Sequence, residues 1–184
     1  MGNQATVWRF LRAAMVVAAA ALVAGCFQPL YGDRSATGGP NLRAALSGIQ
    51  VVEINAPANT PEARMAVPMQ NDLRFNFTGG GAAGPPTHQL RIQLSGRRMV
   101  VSATNVTGLP IIENFNLNAT YSLVEIATNK PVLTGRAVAT VSYDPSGTQR
   151  FARISGMHDA ERRAAKVISD NVTTRLSSYF VSGS

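Results

Sequence analysis

"NFNLNATYSL", residues Asn114–Leu123, is the stretch whose reading decides the fold. Phe115, Leu117, Ala119, Tyr121 and Leu123 fall on one side of an extended chain, and Asn114, Asn116, Asn118, Thr120 and Ser122 on the other. Side chains alternate faces along a strand, so this period of two predicts a strand with one buried face and one wet face. Antiparallel sheets tolerate a solvated face, which assigns the strand to an antiparallel meander. Upstream, "HQLRIQLSG" (His88–Gly96) alternates Leu90, Ile92 and Leu94 with Arg91 and Gln93. Downstream, "ATNKP" (Ala127–Pro131) has hairpin-turn chemistry. "VLTGRAVATVSY" (Val132–Tyr143) then carries Ala137, Ala139, Val141 and Tyr143 in one phase.

The period changes on both sides of this meander. "GIQVVEI" (Gly48–Ile54) has the β-branched content of a further strand. After it, Thr60 suits a helix N-cap, Pro61 the first helical position and Glu62 the positive helix end. These predict a helix over residues 61–77, with Pro68 a candidate break because it removes a backbone donor. "TGGGAAGPP" (Thr78–Pro86) reads as a loop, since no Gly-Lys-Ser/Thr closes it into a phosphate-binding turn. Near the C-terminus Ala164, Val167, Ile168, Val172, Leu176 and Tyr179 recur at three and four, which predicts an amphipathic helix over 159–179. Phe151, Ile154 and Met157 continue the stripe toward Thr148. The expected fold is α+β, in the order β-α-β-β-β-α. It is a two-layer arrangement, with a roughly four-stranded, mainly antiparallel sheet and two helices packed on one face.

The N-terminal segment reads as an export leader. Arg9 and Arg12 precede the unbroken apolar run Ala13–Val23. That run fits the h-region of a signal peptide, about 7–15 residues, and falls short of the roughly 20 needed to span a bilayer. Val23-Ala24-Gly25-Cys26 then resembles the bacterial lipobox, and Cys26 is the only cysteine in the chain. A lone cysteine allows no internal disulfide. The expected cofactors are none, apart from a covalent diacylglycerol on Cys26 and an N-acyl chain, such as palmitate, on its amino group. Each buried methylene contributes about 0.8 kcal/mol and stable anchoring takes more than one chain. Met1-Gly2 followed by Thr6 matches a loose myristoylation pattern, but the leader and lipobox outweigh it. Phe27, where inner-membrane lipoproteins typically carry aspartate, favours sorting to the outer membrane. The expected organisation is a signal peptide over 1–25, a lipidated N-terminus and tether over 26–46, and one domain over 47–184.

Seventeen Lys and Arg against ten Asp and Glu give a formal net charge of +7. That balance favours an anionic partner, and export disfavours nucleic acid as that partner. Catalysis has little to work with. His88 and His158 form no metal spacing with the single cysteine, and the acidic residues are scattered singly. No G-x-S-x-G nucleophile turn occurs. The expectation is therefore a protein that is not an enzyme and holds no metal. Arginine offers forked donors to phosphate, which draws attention to Arg91 and to Arg97-Arg98 after Gly96, read as a bend or strand end. Arg136 lies on a later strand, and Arg162, Arg163 and Lys166 group on the last helix.

The lipobox, "CFQPLYG" (Cys26–Gly32), the α/β pattern and "DAERRAAKVISDNVTTRL" (Asp159–Leu176) together resemble the LPS-assembly lipoprotein LptE family in its alphaproteobacterial form. A glycine often follows the cysteine in that family, where Phe27 stands here. The resemblance implies a lipid-anchored outer-membrane protein facing the periplasm and a barrel lumen. It would plug and help assemble the LPS-translocating β-barrel LptD and aid lipopolysaccharide insertion into the outer leaflet. Cys26 carries over as the lipid-bearing residue; Arg91, Arg97 and Arg98 are candidate lipopolysaccharide contacts by type and place. The competing reading is a lipoprotein subunit of another envelope lipid-transport or secretion system.

Overall fold

The computed structural model describes residues 41–182, apart from 53, 55, 104–109 and 146–149. In chain order the elements are α1 (Leu42–Ser47), β1 (Ile49–Val51), α2 (Pro61–Thr78), β2 (His88–Ala103), β3 (Pro110–Glu125), β4 (Lys130–Tyr143) and α3 (Arg150–Ser182). The strands form one sheet in the order β1-β2-β3-β4. β2, β3 and β4 are an antiparallel meander, as the alternation predicts. β1 pairs parallel to β2, with Ile49, Gln50 and Val51 opposite His88, Gln89 and Leu90. A parallel neighbour needs a crossover connection, and α2 supplies it.

The first helix is an addition to the expected order. The end of the segment read as a tether, residues 42–46, is helical rather than extended. Asn41 caps it, its Oδ1 accepting from the Ala44 amide at 3.2 Å, and Leu42 and Leu46 are buried. The packed domain therefore reaches back to Leu42. α2 starts as read: the Thr60 hydroxyl accepts from the Ala63 amide at 3.2 Å, Pro61 opens the helix, and Glu62 lies in the first turn. Gly79 ends it at φ 61°, a left-handed conformation that suits glycine. Pro68 does not split α2. It is exposed, as is Arg64 four residues before it, so water can hydrate the carbonyl that loses its partner.

The core lies between the inner sheet face and the helices. Phe115, Leu117, Ala119, Tyr121 and Leu123 of β3 are all buried, with Ala137, Ala139, Val141 and Tyr143 of β4 beside them. Met65, Met69, Leu73 and Phe77 of α2 face β1 and β2, and Ala164, Ile168, Val172 and Leu176 of α3 face β3 and β4. Each large apolar side chain so buried contributes about 1.5–3 kcal/mol. Val167, read as part of that stripe, is exposed. A second stripe of Glu161, Ala165, Ser169, Thr173 and Ser177 is buried instead. It borders α2: Arg64 pairs with Glu161 at 2.7 Å, and the Asn76 amide donates to the Thr173 hydroxyl at 3.3 Å. Both links join residues 97 apart in sequence, so α2 and α3 run parallel and keep register over about 18 Å. Ser169 and Thr173 are satisfied by bonding backward, whereas the buried Ser177 hydroxyl has no partner among the described residues. Ser169 donates to the Ala165 carbonyl and Thr173 to the Ser169 carbonyl.

Two glycines face aromatic rings across the sheet. A Cβ on Gly96 would lie 2.9 Å from Cζ of Phe115, and one on Gly135 would lie 2.5 Å from Cζ of Tyr121. Both rings lie flat across a neighbouring strand, where only glycine leaves room. β1 covers β2 only as far as Leu90, so the outer edge of β2 is unpaired beyond it. On that edge the Gly96 amide donates to Oε1 of Glu62 at 2.7 Å.

Arg64 is half-exposed while the Glu161 carboxylate is almost fully buried. Arg64→Ala should cost about 3 kcal/mol, because it strands a buried charge whose partner had some access to water. Glu161→Gln retains a hydrogen-bond acceptor and should cost about 1 kcal/mol. Urea denaturation of both variants decides the point; a larger loss in Glu161→Gln would contradict it.

Candidate functional site: the uncovered sheet face and its arginines

Among the described residues, one face of the sheet has no layer over it. The three Asn carbonyl oxygens of β3 each accept from β4: Ser142 donates to Asn114 at 2.7 Å, Thr140 to Asn116 at 2.6 Å, and Arg136 to Asn118 at 2.8 Å. The first two pairs are directly opposite in register, and Arg136 reaches diagonally. With the carbonyls so engaged, the amide NH2 groups of the ladder point away from their β4 partners. The result is a polar surface rich in donors, with Thr120, Ser122, Gln93 and Ser95 continuing it.

The arginines divide between the two faces. β2 is one continuous strand from His88 to Ala103, so Arg97 and Arg98 lie within it, not at a bend or strand end. Gly96 marks the Phe115 ring, not a break. Neighbouring residues on a strand point to opposite sides. Arg91 and Arg97 share the uncovered face with Arg136, with Arg97 opposite Asn116 and Arg91 opposite Ser122. Arg98 turns to the helix side, where Nη1 lies 3.2 Å from Sδ of Met157. The three candidates therefore do not form one site: two face the Asn ladder and one faces α3. On α3, Arg162 and Arg163 pair with Asp159, and Lys166 with Asp170, all exposed. Those partners make a solvated helix face. The adjacent arginines hold the Asp159 carboxyl below its ordinary range, Arg163 most of all.

Arg98 also lies beside an inner-face pair at the end of the sheet. The Tyr143 hydroxyl donates to a Glu113 carboxylate oxygen directly across β3 and β4. Burial first, and that hydrogen bond second, push the Tyr143 phenol up to about 12, with Arg98 opposing the rise. Around this end the surface is apolar and basic. Met99, Val100, Val101 and Ile112 are exposed, and so are Phe151 and Ile154 in the first turns of α3, with Phe151 80 % open. Arg150 and Arg153 border them. "RRMVVSA" lacks the alternation of the preceding residues, the one sequence signal that both of its faces are wet.

Cys26, the residue expected to bear lipid, lies outside the described residues. Among the described residues no group of three His, Cys, Asp or Glu side chains is placed to hold a metal, and no helix is long and apolar enough to cross a membrane. His88 packs edge-on against Phe180, with its Nδ1 2.9 Å from the Thr87 hydroxyl. Burial lowers its pKa, with Glu125 opposing.

The Tyr143 shift carries a sign. A phenol whose pKa is raised on folding binds its proton more tightly in the native state. Its contribution is complete below about pH 10 and is lost as the pH rises toward about 12. Tyr143→Phe should flatten the fall in stability across that window, read from urea midpoints at pH 9 to 12. An unchanged slope would remove Tyr143 as its source.

No family model matches the sequence, and neither does any curated protein. Solved structures do match in fold. A protein assigned as a lipoprotein from Caulobacter crescentus superposes with a TM-score of 0.59 at 18 % identity, covering 78 % of this chain and 97 % of that one. A minor lipoprotein from Acinetobacter baumannii gives 0.54 at 14 % identity over 72 % and 92 %. The rare lipoprotein B from Shewanella oneidensis gives 0.51 at 11 % identity over 73 % and 96 %. At these identities the shared property is the architecture: this chain has the fold found in a set of bacterial lipoproteins.

Proposed function

We propose that this chain is an outer-membrane lipoprotein of the LptE type, anchored through Cys26. In this reading it sits in the lumen of an LptD-type β-barrel, assists its assembly and aids lipopolysaccharide insertion, without catalysing a reaction. The uncovered sheet face carries the proposal. Asn114, Asn116 and Asn118, held by Ser142, Thr140 and Arg136, offer a preset row of neutral donors. A wet barrel wall presents acceptors to such a row, and Arg91, Arg97 and Arg136 on the same face would need anionic or hydrated partners there. The shared architecture with the lipoproteins from Caulobacter, Acinetobacter and Shewanella supports the same reading, as does the lipobox at Val23–Cys26.

The apolar and basic end fits an amphiphile with phosphates. α2 and α3 run parallel, so both positive helix ends point toward the end that carries Arg97, Arg98, Arg150 and Arg153. Met99, Val100 and Phe151 beside them offer apolar surface to acyl chains. Arg91 stands farther along the open face, nearer the β1 end.

Co-purification tests the proposal. The full-length chain, tagged at its C-terminus, is extracted from outer membranes in mild detergent, and its partners are identified by mass. A near-stoichiometric large β-barrel is expected. Recovery with an inner-membrane transporter, or alone, would move the assignment to another envelope lipid-transport or secretion system. Cys26→Ala should leave the domain folded but release it from the membrane fraction. Arg97→Asp should weaken lipopolysaccharide binding, more at low salt than at high, because screening is weaker there. Equal binding across a salt series would exclude Arg97.

A further inference from the structure

A second polar site adjoins the uncovered face through Arg136, at the outer edge of β4 beside α3. A cavity of about 420 Å³ opens there, lined by Tyr121, Thr134, Arg136, Asn171 and Arg175, with Gly135 in its floor. Every polar side chain in this set can donate a hydrogen bond, two of them are guanidinium groups, and no carboxylate lines it. Arg136 is oriented by its bond to Asn118, which occupies one of its five N–H groups. Arg175 has no ion-pair partner among the described residues, and the Asn171 amide makes no hydrogen bond there.

Tyr121 makes this more than a basic patch. It is only 5 % exposed, and its ring lies against the Cα of Gly135, so that any side chain at 135 would displace it. Its hydroxyl has no hydrogen-bond partner among the described residues, although it is not sealed from the cavity. Burial raises the Tyr121 pKa and Arg175 opposes the rise, which places the guanidinium within electrostatic reach of the phenol. Because the hydroxyl opens to the cavity, its donor is free for an acceptor placed there. A group with several acceptor oxygens and a double negative charge would satisfy the phenol, the amide and both arginines together.

We propose that this cavity binds a phosphate monoester or inorganic phosphate. Arg175 and Arg136 supply charge, and the Tyr121 hydroxyl and Asn171 amide fix its orientation. Thr134 completes the rim. Gly135 is what lets the phenol reach the site: the strand gives up a side chain so that a ring from the next strand can cross it. The site does not depend on the LptE-type assignment: of its polar residues only Arg136 is shared with the Asn ladder, and Tyr121, Thr134, Asn171 and Arg175 lie outside both that ladder and the apolar end.

Amide NMR of the full-length chain in maltoside micelles tests it, with inorganic phosphate exchanged for chloride at constant ionic strength. Saturable shifts confined to residues 134–138 and 171–175 are expected. Tyr121→Phe, which keeps the ring that packs on Gly135, should weaken binding about threefold to tenfold, as for one lost hydrogen bond. Arg175→Gln, an exposed change, should weaken it about tenfold or more. Dodecyl phosphate then separates the sources. Binding more than tenfold tighter than inorganic phosphate assigns a lipid headgroup, and equal binding assigns the free ion; both uphold the site. Shifts that chloride reproduces, that persist unchanged in Arg175→Gln, or that gather around Arg91 and Arg97 instead would overturn it.

Discussion

The architecture rests on one constraint: the apolar face of β3 must be hidden, and one helix is too narrow to do it. A four-stranded sheet with strands about 4.8 Å apart is covered by two helices at 8–10 Å spacing. The chain order then dictates how those helices meet. α2 runs antiparallel to β2, as the contacts of Glu62 with Gly96 and of Gln70 with Val51 show. Two hairpins return β4 to the direction of β2, and α3 runs antiparallel to β4, with Arg163 at Ser142 and Arg175 beside Gly135. Two helices so placed must be parallel. Their close contact requires the small stripe Ala165, Ser169, Thr173 and Ser177, and their one buried charge, Glu161, requires Arg64.

Much of this was legible in the sequence, because the relevant signals are periodic and local. The inner and outer faces of β3 and β4 followed from alternation, and the start of α2 followed from Thr60, Pro61 and Glu62. The small stripe on α3 was not legible. Serine and threonine read as surface residues until their hydroxyls are seen bonding to the carbonyl one turn back. Val167 was misplaced for the complementary reason, since its hydropathy fits the stripe while its angle on the helix faces solvent. The short α1 escaped notice because its apolar signal is confined to Leu42 and Leu46 beside a glycine-rich run.

The arginines illustrate a different limit. Sequence adjacency suggested that Arg97 and Arg98 act together, and strand geometry separates them by the thickness of the sheet. Conversely, Arg136 and Arg175 lie far apart in sequence yet line one cavity. Glycine was the most misleading residue. Gly96 read as a bend or strand end, whereas it and Gly135, which fell within a strand as read, are both clearances for rings contributed by β3. The sheet is thus continuous where the sequence suggested punctuation, and the aromatic residues that fill the core also set where glycine is required.

The hydrogen bond from the Gly96 amide to Glu62 has a consequence for the solitary chain. Strand edges are templates: an unpaired row of amides and carbonyls invites another copy to add laterally. β1 shields only the first three residues of β2, and the long remainder of that border is apolar near its end, at Met99–Val101. Glu62 occupies the position that an incoming carbonyl would need, and brings a negative charge with it. A free molecule is in this way less able to zip onto its siblings. The helix that roofs the core also fastens a guard on the border of the sheet.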